Sequence, residues 1–394
     1  MTTASALASK VLPVSILTGP STWALIKDIL ASDPDRRFGV LAGAKANADQ
    51  TLGEGVLVEE LQTGSHGVYD PAQISGQIAA LAKKELVDHL IIECDSQTHP
   101  IAFASLFLPP DGGGQGLSEV ARLSSIVLAI NSAAVLGSFV QGNSIPGLSS
   151  ACILADQIEV ASLVVLSSEL PDENLARARA IVSAVNPRAR VVQRSQKIGE
   201  EELLDNLSSF DFAAASEGAG WRKIVEAESN ARTIEQNVTT FAYHSRRPLH
   251  PQKFWNLLHG GFPGVFRAKG YFWLATRMDL VGGLNLAGSD HYCAPAGEWW
   301  AAVAQKANSG HREVPDRLKK VWLEPFGDRR QAIAFMGIDL TSANLIAQLD
   351  ACLLDESEMA AGESSWELLP DPFPSWSTHS HDHECEDEDC CHHH

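Results

Sequence analysis

The chain has 394 residues, 45% of them hydrophobic, and a formal net charge of −19, which is enough sequence for two or three domains with substantial cores. Of its 49 acidic residues 14 follow Arg330 and no lysine or arginine does, leaving 30 basic against 35 acidic before that point, a net of only −5; the acidity belongs to one end, where it repels nucleic acid and attracts cations or a basic partner. No apolar run approaches the ~20 residues that span a bilayer, 1–10 lacks the basic start and apolar core of a leader, and four of the seven cysteines stand singly at Cys94, Cys152, Cys293 and Cys352, which predicts a cytoplasmic protein with no membrane partner and no disulfide framework.

In chain order, a β-branched run at 11–18 meets Gly19, and a helical pattern follows with Trp23, Ile26, Ile29 and Leu30 at helical spacing. Strands are expected at 37–42 (RFGVLA), 56–61 (VLVEEL), 89–93 (HLIIE), 125–131 (SIVLAIN), 162–166 (SLVVL) and 189–193 (ARVVQ), with a helix at 73–84. Continuous apolar strands alternating with helices imply a mostly parallel sheet covered on both faces. From 195 to 237 the sequence turns acidic, Ser-rich and Ala-rich and reads as a connection. Beyond it, aromatic strands at 270–275 and 332–338 with helices at 251–259 and 342–354 predict an antiparallel sheet carrying helices on one face. From Pro370 onward Pro, Ser, His and acids dominate, the composition of a disordered tail.

Strand, glycine turn and helix at 11–30 form the frame of a phosphate-binding loop. Such a loop uses G-x-x-x-x-G-K-[ST], so that backbone N–H groups wrap a phosphate while the lysine and hydroxyl meet its oxygens and magnesium. This chain offers Gly19-Pro20-Ser21-Thr22-Trp23, without the second glycine or the lysine, and Pro20 removes a donor. Lys27 comes a turn too late.

With these elements placed, the chain resembles the CobW family of P-loop metallochaperones, which includes zinc-regulated GTPase metallochaperones and nitrile hydratase activators. The resemblance covers nearly the whole length. It is strongest at YHSRRPLHPQKFW (243–255), RAKGYFWLATR (267–277), FGDRRQAIAFMGID (326–339) and LDACLLDESEM (349–359). It implies a P-loop NTPase-like domain over 1–195, a connecting segment over 196–237, a CobW-type α+β domain over 238–369 and a tail over 370–394. It also implies GTP·Mg²⁺ as cofactor and delivery of metal to a client metalloprotein.

The residues at the family's chemical positions differ. Gly19, Ser21 and Thr22 stand where the phosphate loop would be; 64–68 reads GSHGV in place of Cys-x-Cys-Cys, with His66 as the one possible ligand. A strand that would end in Asp ends in Asn131, and Ser167-Ser168-Glu169-Leu170 replaces the guanine-reading Asn-Lys-x-Asp. These substitutions point away from nucleotide binding and hydrolysis, so no catalytic residue is assigned. Glu93, Asp95 and His99 suit a general base or Mg²⁺ ligand but without a phosphate loop read as a relic, and His66 and Cys94, each standing singly, read as structural.

The richest chemistry is in the tail. His379, His381, His383, Cys385, Cys390, Cys391 and His392 lie among acids, and imidazole and thiolate are the ligands that Zn²⁺, Ni²⁺ and Co²⁺ prefer. Loose, multi-mode binding is expected; the alternative is a solvated acidic tail whose last histidines are a tag remnant. Arg246, Arg247, His250, Lys269, Arg329 and Arg330, with Asp328, offer a polar face for a client protein or ribosomal RNA; ion pairs closing the domain are the alternative. The function expected is that of a metal-homeostasis protein, either metallochaperone-like or a metal-responsive adaptor, with zinc as the favoured metal, acting by protein contacts without efficient GTP hydrolysis. An active GTP-dependent metallochaperone and a ribosome-associated factor of the zinc-starvation, or hibernation, response are the other readings.

Overall fold

The computed structural model describes residues 11–43, 52, 56–62, 69–108, 117–143, 150–167, 171–194, 210–212, 215, 220–227, 232–233, 235–306 and 314–376. Its first unit is a seven-stranded sheet in the order β3-β2-β4-β1-β5-β6-β7, with β1 Leu12–Thr18, β2 Phe38–Ala42, β3 Leu57–Glu60, β4 His89–Cys94, β5 Ala121–Asn131, β6 Leu163–Ser167 and β7 Arg190–Gln193. Every pairing is parallel. The central strands are apolar without alternation because both faces are covered: every residue of β4 is buried, whereas the edge strand β3 alternates toward solvent. The helix Thr22–Ser32 lays Leu25, Ile26 and Ile29 on one face. The helix Pro71–Lys84 puts Ile74, Ile78 and Leu81 on the other. That second helix starts where it does because Asp70 accepts from the backbone of Ala72 and Gln73 and Pro71 occupies the first turn.

The second unit is a six-stranded sheet in the order β12-β11-β10-β13-β9-β8, made of β8 Arg232–Thr233, β9 Val238–Ser245, β10 Val265–Phe272, β11 Leu280–Ala287, β12 Asp290–Glu298 and β13 Gln331–Ile338. All its pairings are antiparallel. One face carries the helices Pro251–Gly260 and Ser342–Asp350 over Phe241, Phe254, Phe272, Phe335 and Leu349. The opposite face packs against the first unit. Phe266, Ala287, Ala334 and Met336 share one core with Ala155 and Ile158 of the helix Ala151–Val160, Val182 of the helix Asp172–Val185, and Trp221.

Three features differ from the sequence reading. Strands β11 and β12 were not among the expected elements: glycines break the apolar run of the first, and the second is a mostly exposed edge. Gly282 is nevertheless required, since a Cβ there would stand 2.5 Å from the Phe272 ring. The described parts of the connection are attached at both ends. Phe210 and Phe212 pack on the first unit, the helix Gly220–Glu226 supplies Trp221 to the shared core, and Arg232–Thr233 pairs with β9. The packed body also runs past Pro370, with Phe373 only 5% exposed against Phe254 and Phe272. Residues 377–394, including all the tail histidines and cysteines, lie outside the described residues.

Candidate functional site

Strand β1 ends at Thr18, and Gly19 turns the chain with φ +103°, a conformation that favours glycine. The turn then closes on the neighbouring strand. The Ser21 N–H donates to the carbonyl of Ala129 in β5 at 3.1 Å, the Thr22 N–H to Gly19 O at 3.2 Å, and the Thr22 hydroxyl to Gly19 O at 2.7 Å. A Cβ on Gly19 would lie 2.5 Å from the same Ala129 carbonyl. Thr22 is 2% exposed. A phosphate loop leaves its N–H groups pointing into an open cradle; here Pro20 has none, and those of Ser21 and Thr22 are spent on protein carbonyls. Neither the turn nor its hydroxyl fits the triphosphate and Mg²⁺ of GTP.

Neighbouring positions are equally committed. Asn131 accepts from Ala134 N at 2.6 Å and caps the short helix Ser132–Leu136. Asp95 takes hydrogen bonds from the Tyr69 hydroxyl at 3.0 Å, the Thr98 hydroxyl at 2.9 Å and the Gln97 N–H at 2.8 Å. The carboxylate holds its own loop together. Burial pushes the Glu93 carboxyl up, and an N–H of Gly43 at 3.4 Å works the other way. His99 accepts at Nδ1 from Ile101 N at 3.1 Å, and burial lowers its pKa. The Cys94 side chain is fully buried, and that burial pushes its thiol well above the usual range, the opposite of what a thiolate ligand needs. Among the described residues no group of three or more His, Cys, Asp or Glu is placed to hold a metal ion. His66, Ser168, Glu169 and Leu170 lie outside the described residues.

The basic residues of the second unit are held mainly by its own backbone. Arg246 donates to Val321 O at 2.7 Å, Arg330 to Asp328 O at 2.9 Å, and Arg329 to Met278 O at 2.6 Å and Phe326 O at 3.2 Å. Asp328 in turn caps the helix Trp300–Lys306 through the N–H groups of Trp300 and Ala301, both at 3.0 Å. His250 Nε2 lies 3.9 Å from Glu358. Arg247 is exposed.

Lys269 belongs to a different cluster, one that joins the two units. Its Nζ contacts Asp156 at 2.8 Å and Glu159 at 2.7 Å. Two residues back on β10, Arg267 has no exposed surface. It donates from Nε to Glu159 at 3.1 Å, from Nη2 to Asp156 at 3.3 Å, from Nη1 to Leu286 O at 3.1 Å, and also to Asn285. Burial works to raise the Asp156 pKa, but Lys269 and Arg267 outweigh it and hold the carboxyl below its ordinary value. Arg267 and Asp156 were not singled out from sequence, yet the signal is there: residues two apart on a strand share a face, as do residues three apart on a helix.

A second clamp fixes the chain just before the tail. Arg277 forks onto Asp371, bonds Phe373 O and Pro374 O at 2.8 Å each, and lies over Trp376 with 4.2 Å from its guanidinium carbon to the ring centroid.

Two family models match the chain. Residues 14–193 match that described as CobW/HypB/UreG, nucleotide-binding domain, and residues 238–353 that described as Cobalamin synthesis protein cobW C-terminal domain. Among curated proteins the chain is similar to Zinc-regulated GTPase metalloprotein activator 1 of Dictyostelium discoideum, 29% identical over 314 residues, covering 75% of this chain and 66% of that protein. It is 28% identical over 267 residues to a protein of Mycobacterium tuberculosis named as a zinc chaperone, covering 67% of this chain and 63% of the other. The chain thus spans just under two thirds of the length of these curated relatives. The solved Zn(II)-bound YjiA GTPase from E. coli aligns over 88% of this chain and 100% of its own at 13% identity, with a TM-score of 0.33, too loose a likeness to bear on the site.

Proposed function

The chain belongs to the CobW family, and from that premise we propose that it is a zinc-handling protein of metallochaperone type that works through protein contacts without turning over GTP. The observation that carries the second half is the closed turn at Gly19, whose Ser21 N–H is spent on Ala129 O. A helix N-terminus retains some attraction for anions, but the donors that would surround a triphosphate are engaged or missing. Opening the turn would break the hydrogen bonds that close it before any phosphate contact formed.

The metal half rests on chemistry and on kin. Two relatives carry zinc in their names, and the tail places imidazoles and thiolates among carboxylates, a donor set suited to a borderline divalent ion carried as cargo. Arg247 and the exposed parts of Arg246 and Arg330 are the face we assign to a client metalloprotein. The test is zinc competition against a chromophoric chelator, comparing the full chain with one that stops before Ser377. Loss of most zinc with an unchanged melting curve supports the reading. Full retention of zinc by the shortened chain contradicts it.

A further inference from the structure

Strands β9 and β13 pair to their ends, with Ser245 opposite Gln331. One position further, where both segments leave the sheet, the register brings Arg246 opposite Arg330. Like charges directly across from each other are destabilising. Burial lowers the Arg330 pKa and Arg246 lowers it further, while Asp328 works the other way. The Asp328 carboxylate is taken by the N–H groups of Trp300 and Ala301, both at 3.0 Å. Among the described residues the two guanidiniums meet no carboxylate by hydrogen bond. Each donates from Nη1 to a backbone carbonyl, Arg246 to Val321 O at 2.7 Å and Arg330 to Asp328 O at 2.9 Å.

In three other arginines the edge formed by Nε and Nη2 is filled. Arg37 lays it on Asp88 at 2.9 and 3.0 Å, Arg277 on Asp371 at 2.8 and 3.0 Å, and Arg267 on Glu159 and Asp156. That edge is the fork that matches a carboxylate with two parallel hydrogen bonds. On Arg246 and Arg330 it has no partner among the described residues, although both side chains are half-buried. Their Nη1 bonds hold the forks in place beforehand, which lowers the entropy lost on binding. Arg247 and Lys320 are exposed beside them and add to the field. Single-stranded nucleic acid is gripped by stacking on exposed rings. The ring beside Arg330, Tyr271, is instead packed edge-on against the buried Trp221 at 5.7 Å. That arrangement favours an acidic polypeptide.

We propose that Arg246 and Arg330 are a docking site for an acidic segment of a protein partner, each guanidinium taking one carboxylate on its unfilled edge. This rests on the reading that the chain works through protein contacts, and adds to it the chemistry the partner presents. Carboxylates two positions apart in an extended segment stand about 7 Å from each other on one side. Two arginines opposite each other on paired strands start from Cβ atoms about 5 Å apart, so both forks reach such a pair. Docking also neutralises the repulsion between the two guanidiniums, which the chain alone carries as a cost.

The experiment follows the fluorescence polarisation of a dye-labelled hexaglutamate peptide with full-length chains at low salt: the wild type, Arg246→Ala, Arg330→Ala, Arg246→Lys and Arg330→Lys. Melting curves verify folding, and the Lys variants, which keep a donor for the two carbonyls, carry the test should an Ala variant fail to fold. Affinity should fall at least tenfold in each Ala variant. It should fall at least threefold in each Lys variant, because an ammonium keeps the charge but has no fork. Binding unchanged in the Ala variants overturns the proposal. Lys variants that bind like the wild type mean that a diffuse field holds the peptide, and overturn the fork. Inorganic phosphate or an oligouridylate RNA bound more tightly than the peptide overturns the choice of an acidic polypeptide. A chain that stops before Ser377 and binds the peptide tenfold more tightly than the full chain means that the chain's own acidic end occupies the site, and overturns the assignment to a partner. Each of these outcomes leaves the zinc-handling reading standing; full retention of zinc by that shortened chain overturns the reading itself, whatever the peptide does.

Discussion

Arg277 grips Asp371 with two parallel hydrogen bonds, Nε to Oδ2 at 2.8 Å and Nη2 to Oδ1 at 3.0 Å, with both side chains largely buried. This fork joins residues 94 positions apart and ties down the last packed stretch before the tail. Replacing Arg277 by Ala leaves a half-buried carboxylate with Thr276 as its remaining side-chain partner and should cost about 2 kcal/mol. Limited proteolysis should then cut between Glu363 and Trp376, where the wild type resists.

The same fork predicts a pH dependence. Burial works to raise the Asp371 pKa, but Arg277 and Thr276 outweigh it and hold the carboxyl below its ordinary value. A depressed folded pKa gives stability that is present above the unfolded value of ~3.9 and lost as pH falls through the folded one. Asp156 is depressed in the same direction. Stability measured by urea denaturation should therefore fall as pH drops below about 4, and less steeply in Arg277→Ala. A wild-type curve flat across that range would contradict this.

The lock between the units should be sensitive to the loss of one partner. Arg267 is without exposed surface and Glu159 is 7% exposed, so Glu159→Ala leaves a buried guanidinium short of charge and should cost about 3–5 kcal/mol. Glu159→Gln keeps a hydrogen-bond acceptor and should cost less. Equal losses in the two variants would mean that shape, and not charge, holds the units together.

Much of this architecture is legible in the chain because burial on both faces leaves a plain signature. Within HLIIE and SLVVL the stretches 90–92 and 163–166 are unbroken apolar sequence, and both lie in interior strands buried on both faces. Strands β11 and β12 escaped because their stability comes from neighbours: Gly282 is there to admit Phe272, and DHYCAPAGE pairs along an edge with little burial. The basic residues were legible as a group but not by role, since charge alone does not say whether a guanidinium meets water or a carbonyl. Arg329, 4% exposed, meets Met278 O. The closed turn was legible as a missing lysine, but that Ser21 donates to Ala129 depends on two strands more than a hundred residues apart.

That contrast separates two fates for Arg329. If its guanidinium works inside the fold, Arg329→Ala should lower stability by about 2 kcal/mol through lost hydrogen bonds to Met278 O and Phe326 O, while Arg247→Ala should leave the melting temperature unchanged. Were the basic residues reading ribosomal RNA, Arg246→Ala with Arg329→Ala would instead release the protein from ribosomes and flatten the salt dependence of binding. Co-sedimentation at low salt, beside the melting curves, distinguishes the two.

Gly19 should matter for folding and not for ligand. With φ +103° and the Ala129 carbonyl 2.5 Å from where a Cβ would sit, Gly19→Ala should destabilise by about 1–3 kcal/mol. Denaturation with and without GTP·Mg²⁺ should give the same difference, since ligand that does not bind the folded state adds nothing to its stability.

The most direct measurement is calorimetric titration of GTP·Mg²⁺ into the purified full-length chain. The engaged donors of Ser21 and Thr22 predict a dissociation constant no tighter than about 1 mM, or about 4 kcal/mol of binding free energy, and no GTP turnover that depends on Ser21 or Thr22. Micromolar binding, or hydrolysis abolished by Thr22→Ala, would mean that the turn opens and that the chain is an active GTPase.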